Sequence, residues 1–230
     1  MPGGPLATRP LHFIWILDCS GSMAGEKIRS LNFALRESIP AMQQSADENP
    51  NASVLVRALR FSDGAQWHIA APTPIGSFTW TDVDSRGVTD MGTALGVVAE
   101  QLRMPPMTDR ALPPVLVLVS DGQPTDDFPA GLARLMAEPW GRKAVRIAIA
   151  IGSDADLDVL ESFMGNPEMK PLRADNAATL VQYVKWASTA VLKAASSPRM
   201  GSAGFSDAPT ILPVPVAPAA GEDVAADNVW

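Results

Sequence analysis

The stretch HFIWILDCSGSM, residues 12–23, decides the fold, because a run of apolar side chains ends there in the pattern Asp-x-Ser-x-Ser. The run over residues 12–17 shows no alternation of polar and apolar side chains, which is typical of a strand buried on both faces of a parallel sheet. Asp18, Ser20 and Ser22 follow at once, where such a strand would end. Ligands of open parallel sheets bind at the carboxyl ends of the strands, so this stretch predicts both a sheet and a site.

Two later apolar runs extend the same sheet. They are VLVLV over residues 115–119 and VRIAIAI over residues 145–151, and each precedes a turn and a helix-like segment, as in parallel strands joined by crossover helices. Residues 54–61 and 66–69 flank the turn signal SDGA, which predicts an antiparallel hairpin with one edge strand. The sequence therefore predicts a doubly wound, Rossmann-like α/β fold with a mostly parallel sheet of about six strands and helices on both faces.

Helical spacing of apolar residues predicts the helices that cover this sheet. After the first strand, one stripe recurs at three- and four-residue steps and gives a helix an apolar face toward the sheet; it comprises Ile28, Leu31, Leu35, Ile39 and Met42. Further helices are expected over residues 92–103, 127–137, 156–163 and 176–195.

The domain organisation follows from a change in composition. We expect a short leader over residues 1–10, one α/β domain over residues 11–195 and a tail over residues 196–230 that is rich in proline and alanine. Such a tail buries too little apolar surface to offset its ordering entropy, so disorder is expected. The apolar stretch TILPVPV at residues 210–216 and the terminal Trp230 leave two interpretations open, a spacer or a recognition segment.

Charge and composition exclude several classes of partner. The chain of 230 residues carries a formal net charge of −7 and has no cluster of Lys and Arg, so neither nucleic acid nor an anionic membrane surface is an expected partner. A single cysteine forms no internal disulfide, and the first residues lack the pattern of a secretory signal peptide. No apolar run approaches the roughly 20 residues that span a bilayer. These observations predict a cytoplasmic protein.

Three loops bring oxygen-bearing side chains to the expected carboxyl edge of the sheet. The first holds Asp18, Ser20 and Ser22, the second is GVTDMGT over residues 87–93 with Thr89, and the third is SDGQ over residues 120–123 with Asp121. Carboxylates and hydroxyls are hard ligands, and the neighbouring glycines allow close approach. This is the chemistry of a magnesium-type site.

These motifs and their order resemble the von Willebrand factor A domain and its metal-ion-dependent adhesion site. The resemblance rests on D-x-S-x-S after the first strand, T-x-x-G-x-A-L at residues 89–95 and S-D-G after a later strand. It implies that Ser20 and Ser22 coordinate the ion directly, that Thr89 does so in one state, and that the two acids hold it directly or through water; these acids are Asp18 and Asp121. Mg²⁺ is the expected ion, with Mn²⁺ and Ca²⁺ as alternatives.

Within that superfamily, two segments are similar to TerY-type proteins of bacterial tellurium-resistance operons. They are GEKIRSLNFALRESI at residues 25–39 and RALRFSDGAQWHIA at residues 57–70. This narrower resemblance implies a role in tellurium resistance or in a related stress or phage defence. It also implies that a protein kinase and a metal-dependent protein phosphatase act alongside the protein.

The ligand set itself predicts what the ion does. Two carboxylates at most, completed by hydroxyls and water, leave the ion attractive to one more anion, so an acidic residue of a partner protein is the expected final ligand. The expected function is therefore a non-catalytic interaction module. An adaptor subunit of an ATP-driven chaperone or chelatase would use the same residues and stays open as an alternative.

An enzyme of the haloacid-dehalogenase type is the other alternative. It also places an aspartate after the first strand, but it requires a second acid two residues later, where this chain has Ser20. The lysines weighed for such a reaction, Lys143 and Lys170, do not lie in a loop that directly follows a strand. We therefore expect no enzymatic activity.

Other polar residues have simpler interpretations. We expect Cys19 to be a small buried residue and the two histidines to be packing residues; these are His12 and His68. Asp154, Asp156 and Asp158 lack the glycine and glutamate of a calcium-binding loop, so we interpret them as acids at a helix start.

Overall fold

A six-stranded sheet forms the centre of the computed structural model, which describes residues 8–49 and 51–196. The strands lie in the spatial order β3-β2-β1-β4-β5-β6, and all pairs are parallel except β2 with β3. Their bounds are β1 Arg9–Asp18, β2 Ala52–Ser62, β3 Gly64–Pro74, β4 Val115–Ser120, β5 Val145–Ile151 and β6 Leu172–Ala174. Residues 197–230 of the expected tail, with the stretch 210–216 and Trp230, lie outside the described residues, as do residues 1–7 of the expected leader.

Helices cover both faces of the sheet. They are α1 Glu26–Asp47, α2 Met91–Gln101, α3 Phe128–Ala137, α4 Pro139–Lys143, α5 Leu157–Met164, α6 Ala177–Trp186 and α7 Leu192–Ser196. Helices α1, α6 and α7 pack in one apolar cluster, and α2 to α5 pack in a second cluster on the opposite face. Within the described residues, no helix has the length and apolar character needed to cross a membrane.

The first strand shows why both faces are buried. In β1, Phe13 and Trp15 point into the α1 cluster, whereas Ile14 and Ile16 point into the α2 cluster. Each of these side chains is at most 2% exposed. Because successive side chains of a strand point to opposite faces, an unbroken apolar run is what a strand covered on both sides requires.

The strand order sets the place of a ligand site. Chain connections run outward from β1 in one direction through β2 and β3 and in the other through β4, β5 and β6. The crevice at the carboxyl ends of β1 and β4 is therefore the topological switch point of a doubly wound sheet. Asp18 is the last residue of β1 and Ser120 the last residue of β4, so the predicted loops begin at this crevice.

The doubly wound α/β fold with one antiparallel edge strand is confirmed, and the structure adds details that the sequence did not predict. The helix expected over residues 176–195 is interrupted by a π-helical turn at Ala187–Val191. Two hydroxyls in that turn bond back one turn, Ser188 Oγ to the carbonyl of Val184 and Thr189 Oγ1 to the carbonyl of Lys185. Such back-bonding competes with the helical hydrogen bonds and explains the irregularity.

Candidate functional site

Asp18 is a fully buried carboxylate at the end of β1. Its Oδ1 accepts a hydrogen bond of 2.8 Å from the backbone N–H of Ser20, and its Oδ2 accepts one of 2.5 Å from Ser120 Oγ. Burial raises the pKa of Asp18 to about 6, and the negative charge of Asp121 adds to the rise, while the bonds from Ser120 and Ser20 oppose it. A cation bound beside Asp18 would oppose this rise, because it favours the charged form of the carboxylate.

Ser20 directly precedes a 3₁₀ turn at Gly21–Met23, and Ser22 lies within that turn. Their hydroxyl oxygens are 2.9 Å apart and share a hydrogen bond. Ser20 is buried and Ser22 is exposed. The pair thus runs from the buried floor beside Asp18 to the solvent, which suits a site that is open on one side.

Asp121 follows β4 directly and is 1% exposed. Its Oδ1 is buried and has no hydrogen-bond partner among the described residues. A buried carboxylate oxygen without a donor costs free energy, because it has lost its water and gained nothing in exchange. The next residue, Gly122, has φ of +72°, and its N–H donates to Ser120 Oγ. This turn therefore bonds to Ser120 and not to the unpaired oxygen of Asp121.

Thr89 is also buried, and its loop adjoins the first one. The N–H of Gly21 donates to the carbonyl of Gly87 at 2.9 Å, which joins the two loops through their backbones. Within the described residues no hydrogen bond joins the Thr89 side chain to the other four predicted ligands. The structure thus brings Asp18, Ser20, Ser22 and Asp121 together and places Thr89 at the neighbouring loop.

The donor set fits a hard divalent cation. The described part of the chain contains no group of three or more His, Cys, Asp or Glu side chains placed to hold a metal. A cation at this crevice would therefore depend on two carboxylates and on hydroxyls, and the unpaired Oδ1 of Asp121 supplies a lone pair that nothing else in the described structure uses. Oxygen ligands of this kind suit Mg²⁺, Mn²⁺ and Ca²⁺.

Two residues at the carboxyl edge of the sheet were not predicted from the sequence as site residues. Ser120 fixes the Asp18 carboxylate; the S-D-G motif contained it, but its hydroxyl was not among the predicted ligands. Lys27 extends from the first turn of α1 to the end of β5, where its Nζ lies 3.6 Å from a carboxylate oxygen of Asp154. The sequence did not indicate this lysine, because Lys27 lies in a helix and not in a loop that follows a strand.

The remaining polar residues behave mostly as expected. Cys19 is buried, and burial, with the charge of Asp18, raises the pKa of its thiol to about 12, so it is a poor nucleophile. His68 Nε2 lies 2.8 Å from the carbonyl of Thr81, and its ring packs on Trp80. Asp156 is the N-cap of α5 and accepts from the N–H of Val159, as an acid at a helix start should.

The comparisons with known proteins identify the fold. No family model and no curated protein matches the chain. Among solved structures, the von Willebrand factor type A protein from Catenulispora acidiphila matches with a TM-score of 0.60 and 16% identity, over 80% of this chain and 43% of that one. The pilus adhesin SpaC from Lactobacillus rhamnosus GG matches with a TM-score of 0.63 and 14% identity, over 82% of this chain and 31% of that one.

A third similar structure is the ArnB paralog VWA2 from Sulfolobus acidocaldarius, with a TM-score of 0.55 and 16% identity over 76% of this chain and 44% of that one. The chain thus spans less than half the length of each of these three structures. Together they show that the protein has the fold of von Willebrand factor A domains.

Proposed function

We propose that the protein is a non-catalytic protein-interaction module that binds a partner through a divalent cation held by Asp18, Ser20, Ser22, Thr89 and Asp121. Mg²⁺ is the proposed ion, with Mn²⁺ and Ca²⁺ as alternatives. The fold supports this proposal because its switch-point crevice is the usual ligand position of doubly wound sheets.

The single observation that carries the proposal is the buried, unpaired Oδ1 of Asp121 beside the buried Asp18. Two carboxylates that lie close together in a desolvated crevice repel each other and are costly to ionise. Burial, and to a smaller extent the charge of Asp121, raises the pKa of Asp18 to about 6, which agrees with such a cost. A divalent cation would remove both penalties at once, because it neutralises the pair and supplies the missing partner of the oxygen.

The same charge count supports an acidic partner residue. Asp18 and Asp121 offset at most the two charges of the ion, and the hydroxyls of Ser20, Ser22 and Thr89 are neutral. An ion held in this way keeps affinity for a further oxygen anion. The exposed position of Ser22 leaves one side of the crevice open to such a ligand, so a carboxylate presented by another protein is the proposed ligand.

Three side chains support the non-catalytic part of the proposal. Ser20 occupies the place where a haloacid-dehalogenase-type phosphatase needs its second acid, and a serine hydroxyl is a far weaker proton donor to a leaving group than a carboxylic acid. Cys19, the residue between Asp18 and Ser20, has a thiol pKa raised to about 12 by burial. Lys27 is occupied by its ion pair with Asp154. Hydrolysis of a generic phosphate monoester by the protein in Mg²⁺ would contradict this part.

The cellular role is a proposal that rests on the resemblance to TerY-type proteins. It places the protein in the cytoplasm, in a tellurium-resistance, stress or phage-defence system, with a kinase and a metal-dependent phosphatase as partners. An adaptor subunit of an ATP-driven chaperone or chelatase remains the second candidate. The two candidates differ in whether the captured partner is an ATPase.

The proposal is tested by capturing partners from the native host with the whole 230-residue chain, in Mg²⁺ and in chelator. The captured partner is then purified and its binding measured for the wild type, Ser22→Ala and Thr89→Ala. We expect chelation to abolish the complex and each variant to lose about 10- to 100-fold in affinity. Circular dichroism of each variant checks that the fold is retained. A partner that binds equally well in chelator would show that the ion does not mediate the contact.

A further inference from the structure

We infer that Thr125 and Asp126 form a clamp that holds Thr89 in its place relative to Asp121. Both residues belong to the loop that starts with Asp121, whereas Thr89 belongs to the loop before α2. The inference rests on the proposed metal site, because its consequence is that the clamp sets the affinity for the ion. Thr125 and Asp126 are positioning residues, since neither is a proposed ligand.

The Asp126 part of the clamp is a helix cap supplied from a distant loop. Asp126 Oδ1 accepts from the N–H of Gly92 at 2.8 Å, and Oδ2 accepts from the N–H and the hydroxyl of Thr93 at 2.7 and 2.9 Å. These amides lie in the first turn of α2, where backbone N–H groups have no partner inside the helix. Both oxygens of one carboxylate therefore hold the helix that follows Thr89.

The residue at the N-cap position of α2 does not perform this task itself. Asp90 makes no side-chain cap to α2, and its Oδ2 accepts instead from the N–H of Gly64 in the hairpin between β2 and β3. An aspartate at an N-cap usually accepts from its own helix. Because Asp90 is used elsewhere, the start of α2 depends on Asp126.

The Thr125 part of the clamp bonds to Thr89 directly. The N–H of Thr89 donates to Thr125 Oγ1 at 3.0 Å, and the N–H of Thr125 donates to the carbonyl of Thr89 at 2.9 Å. This two-way bond fixes both backbone groups of Thr89, whose side chain remains available. Thr125 thus positions the proposed ligand without occupying its hydroxyl.

The helices after the two loops are in backbone contact, which makes the clamp stiff. A Cβ added at Gly92 would contact the backbone carbonyl of Asp127, and one added at Gly131 would contact the backbone of Gly92. The start of α2 therefore rests on the start of α3 with no side chain between them. The loop that starts with Asp121 and the loop that holds Thr89 are therefore joined both by the clamp and by the helices that follow them.

The test compares Asp126→Ala with Asp127→Ala in the whole 230-residue chain. Asp127 is the matched control, because it also caps a helix, accepting from the N–H of Ala130 at 2.9 Å, but that helix is its own α3. Asp127→Ala should lower the melting temperature by about 2 to 4 °C for one lost cap, and Asp126→Ala by more, because it removes three hydrogen bonds. Two readouts separate them, Mg²⁺ affinity by calorimetric titration and amide hydrogen exchange by NMR in chelator.

We expect Asp126→Ala to weaken Mg²⁺ binding by about 10- to 100-fold and to speed exchange of the Gly92 and Thr93 amides. Asp127→Ala should bind Mg²⁺ within about twofold of the wild type and leave those two amides protected, because the bonds it removes lie in α3. The Mg²⁺ affinity of Asp126→Asn should lie between those of the wild type and Asp126→Ala, since the single carbonyl oxygen of Asn keeps one of the two acceptor positions.

In one outcome, the wild type binds Mg²⁺ normally while Asp126→Ala and Asp127→Ala bind it with equal affinity. That result would contradict the inferred role of the clamp in metal binding, but it would not contradict the proposed metal site. If the wild type itself binds no Mg²⁺, the proposed function is wrong. The clamp is then tested by amide hydrogen exchange alone. Faster exchange at Gly92 and Thr93 only in Asp126→Ala would then support it as a device of the fold, and equal exchange in both variants would overturn it.

Discussion

The two ends of the sheet differ in the charge of the side chains that bond to the backbone. At the carboxyl ends of the strands, aspartates accept from backbone N–H groups, as Asp126 does at α2 and Asp156 does at α5. At the amino ends, arginines donate to backbone carbonyls. Arg9 bonds to the carbonyls of Arg110 and Ala111, and Arg146 bonds to those of Phe163 and Gly141.

The topology explains this division. In a parallel α/β fold every crossover helix starts near the carboxyl end of one strand and ends near the amino end of the next. The unpaired N–H groups of helix starts therefore collect at one end of the sheet and the unpaired carbonyls of helix ends at the other. Aspartates suit the first end and arginines the second, for both hydrogen bonding and the helix dipole.

The difference between the ends is what remains unpaired. At the amino end, Trp140 Nε1 is a buried donor without a partner among the described residues, but a neutral donor cannot hold a cation. At the carboxyl end the unpaired atom is Oδ1 of Asp121, an acceptor beside a second buried acid. The arginines at the amino end therefore stabilise the fold, whereas the carboxyl end also has an unpaired acceptor that a ligand could use.

The largest expected effect is at the arginine end. Arg146→Ala removes bonds of 2.7 Å to the carbonyl of Phe163 and 3.1 Å to that of Gly141, and both carbonyls lose a charged donor. We expect a loss of about 2 to 4 kcal/mol in the free energy of unfolding, measured with urea. Mg²⁺ affinity of the folded variant should remain unchanged, because Arg146 lies near the start of β5, at the end opposite the crevice.

Arg142→Ala is the matched control for this variant. Arg142 also donates to two carbonyls, those of Met136 and Ala137, but it is exposed. Water replaces its bonds, so the expected loss is at most about 1 kcal/mol. Equal losses in the two variants would mean that burial of the guanidinium is not what makes the arginine end stabilising.

The next effect, within the same range of size, is expected at the aspartate end as a dependence of stability on pH. The folded-state pKa of Asp18, about 6, lies above its ordinary value of 3.8. Between these values the folded protein binds more protons than the unfolded chain, so stability in chelator is highest below pH 4 for this group and is lost as pH rises through 6. The complete loss amounts to about 3 kcal/mol at 1.36 kcal/mol per pH unit.

Asp18→Asn isolates that contribution, because the amide stays neutral and keeps an oxygen for the N–H of Ser20. Urea unfolding in chelator at pH 4.5, 6 and 7.5 should show the variant gaining on the wild type as pH rises. Saturating Mg²⁺ at pH 7.5 should remove the advantage by stabilising the wild type alone. A difference between the two proteins that is constant over this pH range would show that Asp18 ionises normally.

The smallest effect concerns the loop before Thr89. Gly87 has φ of +74°, and a Cβ there would contact the Asp63 carboxylate, which accepts from the N–H of Val88. Gly64 has φ of +77° with open space around it, so Gly64→Ala adds backbone strain alone. We expect Gly87→Ala to lose about 1 kcal/mol more than Gly64→Ala in urea unfolding, the contribution of one hydrogen bond. Equal losses would mean that Asp63 does not support this loop.

Much of the fold could be predicted from local patterns. Residues 115–119 are apolar throughout and residues 145–151 are apolar except for Arg146, and strands lie at Val115–Ser120 and Val145–Ile151. The short strand β6, Leu172–Ala174, was not located, because three residues at an edge show no period. The π-helical turn in the last helical segment depends on two hydroxyls bonding to the backbone, which an apolar stripe does not reveal.

The positions of the candidate ligands could also be predicted, because each follows a strand or precedes a helix. Their supports could not. Asp126 contacts Gly92 across 34 residues and Asp90 contacts Gly64 across 26, and such contacts depend on how loops meet after folding. The unpaired oxygen of Asp121 is likewise visible only once its surroundings are built, because the sequence gives the carboxylate but not its partners.

The measurement that tests the central claim most directly is calorimetric titration of Mg²⁺ into the wild type and into the double variant Asp18→Ala, Asp121→Ala. A second double variant, Asp154→Ala, Asp158→Ala, removes the same charge from exposed positions at the same end of the sheet. The account predicts one site in the wild type, affinity lowered more than about 100-fold in the first variant and near-normal affinity in the second. Equal Mg²⁺ binding by the wild type and the Asp18, Asp121 variant would contradict it.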